Sequence, residues 1–174
     1  MNRLPVLPLE DMPEKTRNMI TGGKSQLSGL NINKMMAHAE NSVRHFMRMG
    51  NSLLTQAKLD ARLRELAILR IATLCRSRYE WHQHEILARE IGIPGEQIEA
   101  VKKNIDSPVF TGLERVVLRY TDEVTLNVKS REKTFEELAG ALSHRELVEL
   151  TLTVGFYNMV ARFLENTGVE IENE

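Results

Sequence analysis

Cysteine is nearly missing from this chain of 174 residues, with Cys75 as its single representative. An intramolecular disulfide is therefore excluded, and a reducing compartment suits the composition. An excess of charge of one sign is missing too. The 23 basic and 24 acidic residues leave a formal net charge of −1, and with no basic stripe a nucleic-acid footprint is not expected. The opening Met1-Asn2-Arg3-Leu4-Pro5 lacks the apolar core of a signal peptide. No stretch reads as the roughly 20 apolar residues needed to cross a bilayer. A cytoplasmic protein with no membrane partner is the resulting expectation. Sustained period-two alternation is also lacking, so no sheet is indicated.

What is present is helical periodicity in a chain of ordinary globular composition, with 42 % hydrophobic and 27 % charged residues. The length suits one domain spanning 1–174 with a real core. Pro5, Pro8 and Pro13 mark residues 1–13 as an extended arm that must fray or lie on something, such as a neighbouring subunit. From Glu14 onward the pattern is helical, with breaks at Gly22-Gly23 and near Gly29. Asn41-Ser42 can cap a helix carrying Val43, Phe46, Met47 and Leu54. Leu59 to Leu74 is too apolar for a single stripe and reads as the central helix. Ser77-Arg78-Tyr79-Glu80 has the S-x-x-E form of a capping box, opening a helix that stops at Gly92. Further helices are expected near 95–103, 112–127 and 131–142. A last one opens at a second capping box, Ser143-His144-Arg145-Glu146, and runs to about Asn166. Arg64-Glu65-Leu66-Ala67-Ile68-Leu69 is echoed by Arg145-Glu146-Leu147-Val148-Glu149-Leu150. The echo leaves an internal helical repeat open.

The densest polar and aromatic cluster lies between Glu65 and Glu85. Glu65 is unusual on so apolar a helix, because a buried carboxylate needs a partner. Arg64, Arg70 or a group on another helix could supply it. Nineteen positions separate Glu65 from His84, which is roughly 28 Å along one unbroken helix. The two can meet only if a turn near Ser77 and the tertiary packing bring the helices past one another. Glu80 and His84, four apart, share a face, an arrangement that orients an imidazole for proton transfer. Glu80 is equally a plain helix cap. His82 points roughly 200° away from His84, so the pair is a poor chelate and no catalytic metal is expected. Tyr79 and Trp81 read as packing residues that also line a pocket. Cys75 reads as a small core residue, and Met35, Met36, Met47 and Met49 as flexible packing.

The run Arg64-Glu65-Leu66-Ala67-Ile68-Leu69-Arg70-Ile71-Ala72, followed by Tyr79-Glu80-Trp81 and His84, resembles the core motif of the carboxymuconolactone decarboxylase superfamily. That superfamily includes the AhpD-like alkylhydroperoxidase helper proteins. Glu149 to Phe163 is similar to its final helix, and the resemblance covers about Leu53 to Gly168. It implies an all-α, compact AhpD-like fold and a subunit that assembles as a trimer or hexamer. The hydroperoxidase branch pairs a Glu and a His with a C-x-x-C. Laid on this chain, the motif places them at Glu65, at His84, and at Ser77 and Glu80. Both thiols are missing, so the dithiol cycle is not expected. The resemblance implies instead a cofactor-independent decarboxylase-like enzyme acting on a small carboxylated or lactone compound. In that reading His84, Glu65 and Glu80 are catalytic, while Tyr79, Trp81, Arg78 and His82 bind substrate. Arg78, Arg70 and Arg162 stay open as holders of a substrate carboxylate. A single-thiol antioxidant and a non-catalytic helical binding protein are the alternatives.

Overall fold

A computed structural model describes residues 2–22 and 29–172, and no strand occurs among them. Their helices are α1 (Glu14–Thr21), α2 (Asn31–Met36), α3 (Glu40–Thr55), α4 (Ala61–Cys75), α5 (Arg78–Glu90), α6 (Gly95–Lys103), α7 (Gly112–Asn127), α8 (Glu132–Ala141) and α9 (His144–Thr167). The fold is all-α, as the periodicity predicts. Two compact units form, one from Met1–Gln56 with Phe163–Glu174 and the other from Ala57–Arg162.

In the second unit, α4 is the central helix. Asp60 starts it, its carboxylate accepting from the amides of Arg62 at 2.7 Å and Leu63 at 3.3 Å. Leu66, Ala67, Ile68, Leu69 and Ile71 then bury every side of the helix. This is why its apolar residues exceed a single stripe. α5, α6 and α7 all pack on it. Leu66 and Leu69 form one cluster with Ala88, Ile93, Ile98, Val101, Phe110 and Leu118. Arg70 reaches across to α7 and meets both oxygens of Asp122 at 2.6 and 2.8 Å, while also donating to the Val101 carbonyl at 2.8 Å.

Two short devices set how α5 returns along α4. Arg76 adopts a left-handed conformation, φ 56°, at the end of α4, which costs a non-glycine residue about 1–2 kcal/mol. Ser77 donates its amide to the Ala72 carbonyl at 2.8 Å, closing the turn. Ser77 does stand at the N-cap of α5, but its side chain makes no capping bond. The capping box expected from Ser77 and Glu80 is therefore absent, and both side chains are buried.

The capping box at Ser143 is present, with the Glu146 amide donating to Ser143 Oγ at 3.3 Å and the Ser143 amide donating to Glu146 at 2.9 Å. Another, Thr111 with Glu114, opens α7. The sequence expects no membrane-crossing stretch, yet α9 has 24 residues and enough hydropathy to cross one by length and composition. Its Leu147, Leu150, Val154, Tyr157, Ala161 and Leu164 are buried within the chain, the pattern of a core helix.

The first unit is built on Met12, Ile20, Ala37 and Val43, against which Leu7, Leu9, Met19, Met36 and Met47 pack. Asn41 and Ser42 do not cap α3: Ala39 holds the N-cap, so both lie inside the first turn. Gly22 ends α1, its amide donating to the Asn18 carbonyl at 2.7 Å, while Gly23 falls outside the described residues. Gly29 takes the left-handed region at φ 77°, which glycine enters without a Cβ penalty. Within 1–13, Leu9–Asp11 is a single 3-10 turn. The Arg3 amide donates to the Thr167 carbonyl at 2.9 Å, and His38 Nε2–H donates to the Pro5 carbonyl at the same distance.

Candidate active site

Glu65 sits one turn into α4 with no accessible surface. Burial alone would favour its neutral form by several kcal/mol. Two donors offset this, one on each oxygen. His84 Nδ1 lies 2.7 Å from Oε2, and Arg64 Nε donates to Oε1 at 3.0 Å. Burial is the largest influence and pushes the carboxyl up, but His84 and then Arg64 together outweigh it and hold Glu65 below its ordinary range. Glu65 is therefore a carboxylate and can only accept.

That fixes the imidazole. With an acceptor-only partner, Nδ1 must carry a proton in both charge states of the ring. In the neutral ring the lone pair is then on Nε2, and in the imidazolium Nε2–H is the acidic end. His84 itself is 5 % exposed. Its proton chemistry is thus directed to one nitrogen, which suits a general acid or base.

Two further buried groups complete the cluster. Glu80, one turn before His84 on α5, is 2 % exposed. Tyr157 comes from α9, with its ring perpendicular to the His84 ring at 88° and the centroids 4.8 Å apart. Desolvation pushes its phenol well above the ordinary 10.0, and the charges of Glu65 and Glu80 add to the rise. Tyr157 is therefore a neutral phenol beside two acidic side chains.

The structure brings together Glu65, His84 and Glu80 of the residues singled out in the sequence. Nineteen positions are bridged by the reversal at Arg76 and Ser77, not by a continuous helix. Tyr79 is buried, whereas Arg78 and His82 are exposed. Trp81 packs against the cluster that includes Ile98 and Val101, donates its indole N–H to Glu85 at 2.7 Å, and lies under the Lys102 ammonium at 4.0 Å. Of the arginines left open as substrate holders, Arg70 is engaged with Asp122, and Arg162 is exposed and donates to the Asn158 side chain at 2.6 Å. Arg162 also lies 3.9 Å from Cys75 Sγ. Among the described residues no group of three or more His, Cys, Asp or Glu side chains is placed to hold a metal ion.

Sequence reasoning did not select Tyr157 as a site residue. Its signal is the buried stripe Leu150, Val154, Tyr157, Ala161, Leu164. A tyrosine in such a stripe brings a hydroxyl into the interior, where it needs polar surroundings.

Residues 40–123 match the carboxymuconolactone decarboxylase family. The matched stretch is just under half of the chain and contains α4 and α5 with Glu65, Glu80 and His84, which is where the likeness to that family lies. No protein of curated function matches the sequence. Among solved structures, an uncharacterized peroxidase-related protein from Silicibacter sp. TM1040 is similar at 20 % identity and TM-score 0.84, over 99 % of this chain and 92 % of that one. An uncharacterized peroxidase-related protein with an alkylhydroperoxidase AhpD core, from Ralstonia eutropha JMP134, is similar at 18 % identity and TM-score 0.84, over 99 % and 93 %. The debrominase Bmp8, bound to 2,3,4-tribromopyrrole, is similar at 14 % identity and TM-score 0.75, over 99 % and 95 %. At these identities the likeness is one of fold.

Proposed function

We propose that the protein is a cofactor-independent, decarboxylase-like enzyme in which His84, held by Glu65, moves a proton on a small carboxylated or lactone substrate. The observation that carries this reading is the buried 2.7 Å contact between Glu65 and His84 Nδ1, which leaves Nε2 as the exchanging nitrogen. In the reaction, the bond between the substrate carbon and its carboxylate breaks and CO2 leaves. The electron pair passes into the conjugated carbonyl as an enolate. Nε2–H of the imidazolium then delivers its proton to the enolate carbon, and solvent restores it. Such a cycle needs stabilisation of the developing charge and a positioned acid, each supplied by protein groups. Glu80 is the second acidic group beside this path. Assembly as a trimer or hexamer and residence in the cytoplasm belong to the same proposal; sedimentation measures the former.

A second reading is antioxidant activity. The AhpD-core likeness favours it, as does the Arg162 guanidinium near Cys75 Sγ, since a cation beside a thiol favours the thiolate. With one cysteine, an external thiol would have to resolve the oxidised sulfur. The two readings separate in one pair of assays on wild type and Cys75→Ser: CO2 release from γ-carboxymuconolactone, and thiol-dependent peroxide consumption. Release of CO2 unaffected by Cys75→Ser supports the first. Peroxide turnover abolished by Cys75→Ser, with no CO2 released, replaces it by the second.

A further inference from the structure

We infer that Tyr157 is a positioning residue, whose ring holds the His84 imidazole in the plane that keeps Nδ1 on Glu65 and leaves Nε2 to the substrate. This rests on the reading of His84 as the proton carrier. The hydrogen bond at Nδ1 is one point of attachment, and a ring held at one point can still pivot about it. A second, perpendicular ring in contact removes that freedom. Tyr157 supplies it from α9, with centroids 4.8 Å apart and an interplanar angle of 88°. The Tyr157 ring is itself backed by Phe156, at 5.3 Å and 83°, and is 4 % exposed. Three helices thus meet at one imidazole: α4 through Glu65, α5 through His84 itself, and α9 through Tyr157.

The phenol is suited to the place. Glu65 and Arg64 from α4 and Glu80 from α5 are the charged groups that act on it, and the two carboxylates disfavour its ionisation. The ring therefore presents the same neutral wall to His84 whichever charge the imidazole carries.

The test is the tautomer of His84, read by nitrogen NMR of the full-length protein above the imidazole titration, with the resonance assigned through His84→Gln. Wild type should show the Nδ1–H form. Tyr157→Phe keeps the ring and should keep that signature. Tyr157→Leu removes it, and the Nδ1–H to Nε2–H ratio should fall about three- to tenfold, the range expected for loss of one perpendicular ring contact. Tyr157→Met carries the same comparison if the leucine variant does not fold, with thermal unfolding as the check. An unchanged ratio in a folded Tyr157→Leu or Tyr157→Met overturns the inference. So does an equal fall in Tyr157→Phe, which would move the role from ring to hydroxyl. The readout needs no substrate. Failure of the decarboxylase reading would appear instead as absence of CO2 release by wild type, with these ratios as expected.

Discussion

Two segments of this chain share the triplet Arg-Glu-Leu at the start of an apolar helix, and the fold uses them in opposite ways. In α4, Glu65 is fully buried and takes one donor on each oxygen, from His84 and from Arg64. In α9, Glu146 stays at the surface, where its carboxylate accepts from the side chain and amide of Ser143. Arg145 beside it turns outward and pairs with Glu149. Both glutamates are held below their ordinary range. For Glu146 the Ser143 hydrogen bonds are the cause. For Glu65 burial works against ionisation and is outweighed by His84 and Arg64. Local sequence decides which residues cap a helix; the surroundings decide whether a carboxylate becomes a cap or a site.

The comparison breaks most sharply at Glu65. Glu65→Ala strands Arg64 and His84 in the interior and should cost about 3–5 kcal/mol, measured by urea unfolding. A loss below ~1 kcal/mol would show that the pair is not buried as described. Leu69→Ala, on the same helix but outside the charged cluster, should cost about 2–5 kcal/mol through its cavity alone and leave the His84 tautomer unchanged.

Acid should separate the pair next. Because the folded value of Glu65 lies below its ordinary 4.5, its contribution is fully present above 4.5 and is lost as pH falls through the depressed value. Melting temperatures followed into acid should therefore drop more steeply for wild type than for Glu65→Gln. Parallel curves would contradict the ionised Glu65. At the α9 end, Ser143→Ala removes a cap and should cost ~1 kcal/mol, with no effect on the His84 resonance. Smallest of all, His82→Ala at the exposed face of α5 should stay within about 0.5 kcal/mol of wild type by calorimetry.

The helices were largely legible in the sequence because each rests on local pattern. The surplus of apolar residues between Leu63 and Ala72 marks α4 as central, and Gly92 and Ser143 punctuate the chain as expected. Glu80 and His84 could be placed together because a spacing of four is local. The Glu65 contact could not. It depends on Arg76 entering the left-handed region, and an arginine there gives no signal of its own. Tyr157 was hidden for the same reason, since it meets His84 across more than seventy residues of chain. Ser77 shows how a local rule misleads near such a site: it stands at the N-cap of α5, as the S-x-x-E pattern predicts, yet its side chain makes no capping bond.

The central claim is that His84, held by Glu65, carries the proton. Its most direct test is CO2 release from γ-carboxymuconolactone by His84→Ala beside wild type, with thermal unfolding as the control. Wild-type turnover that falls about 100-fold or more in a folded variant is the predicted result, the range of a lost general acid. Turnover by His84→Ala within about twofold of wild type would contradict the account, because no contribution of that size would then be left for the imidazole.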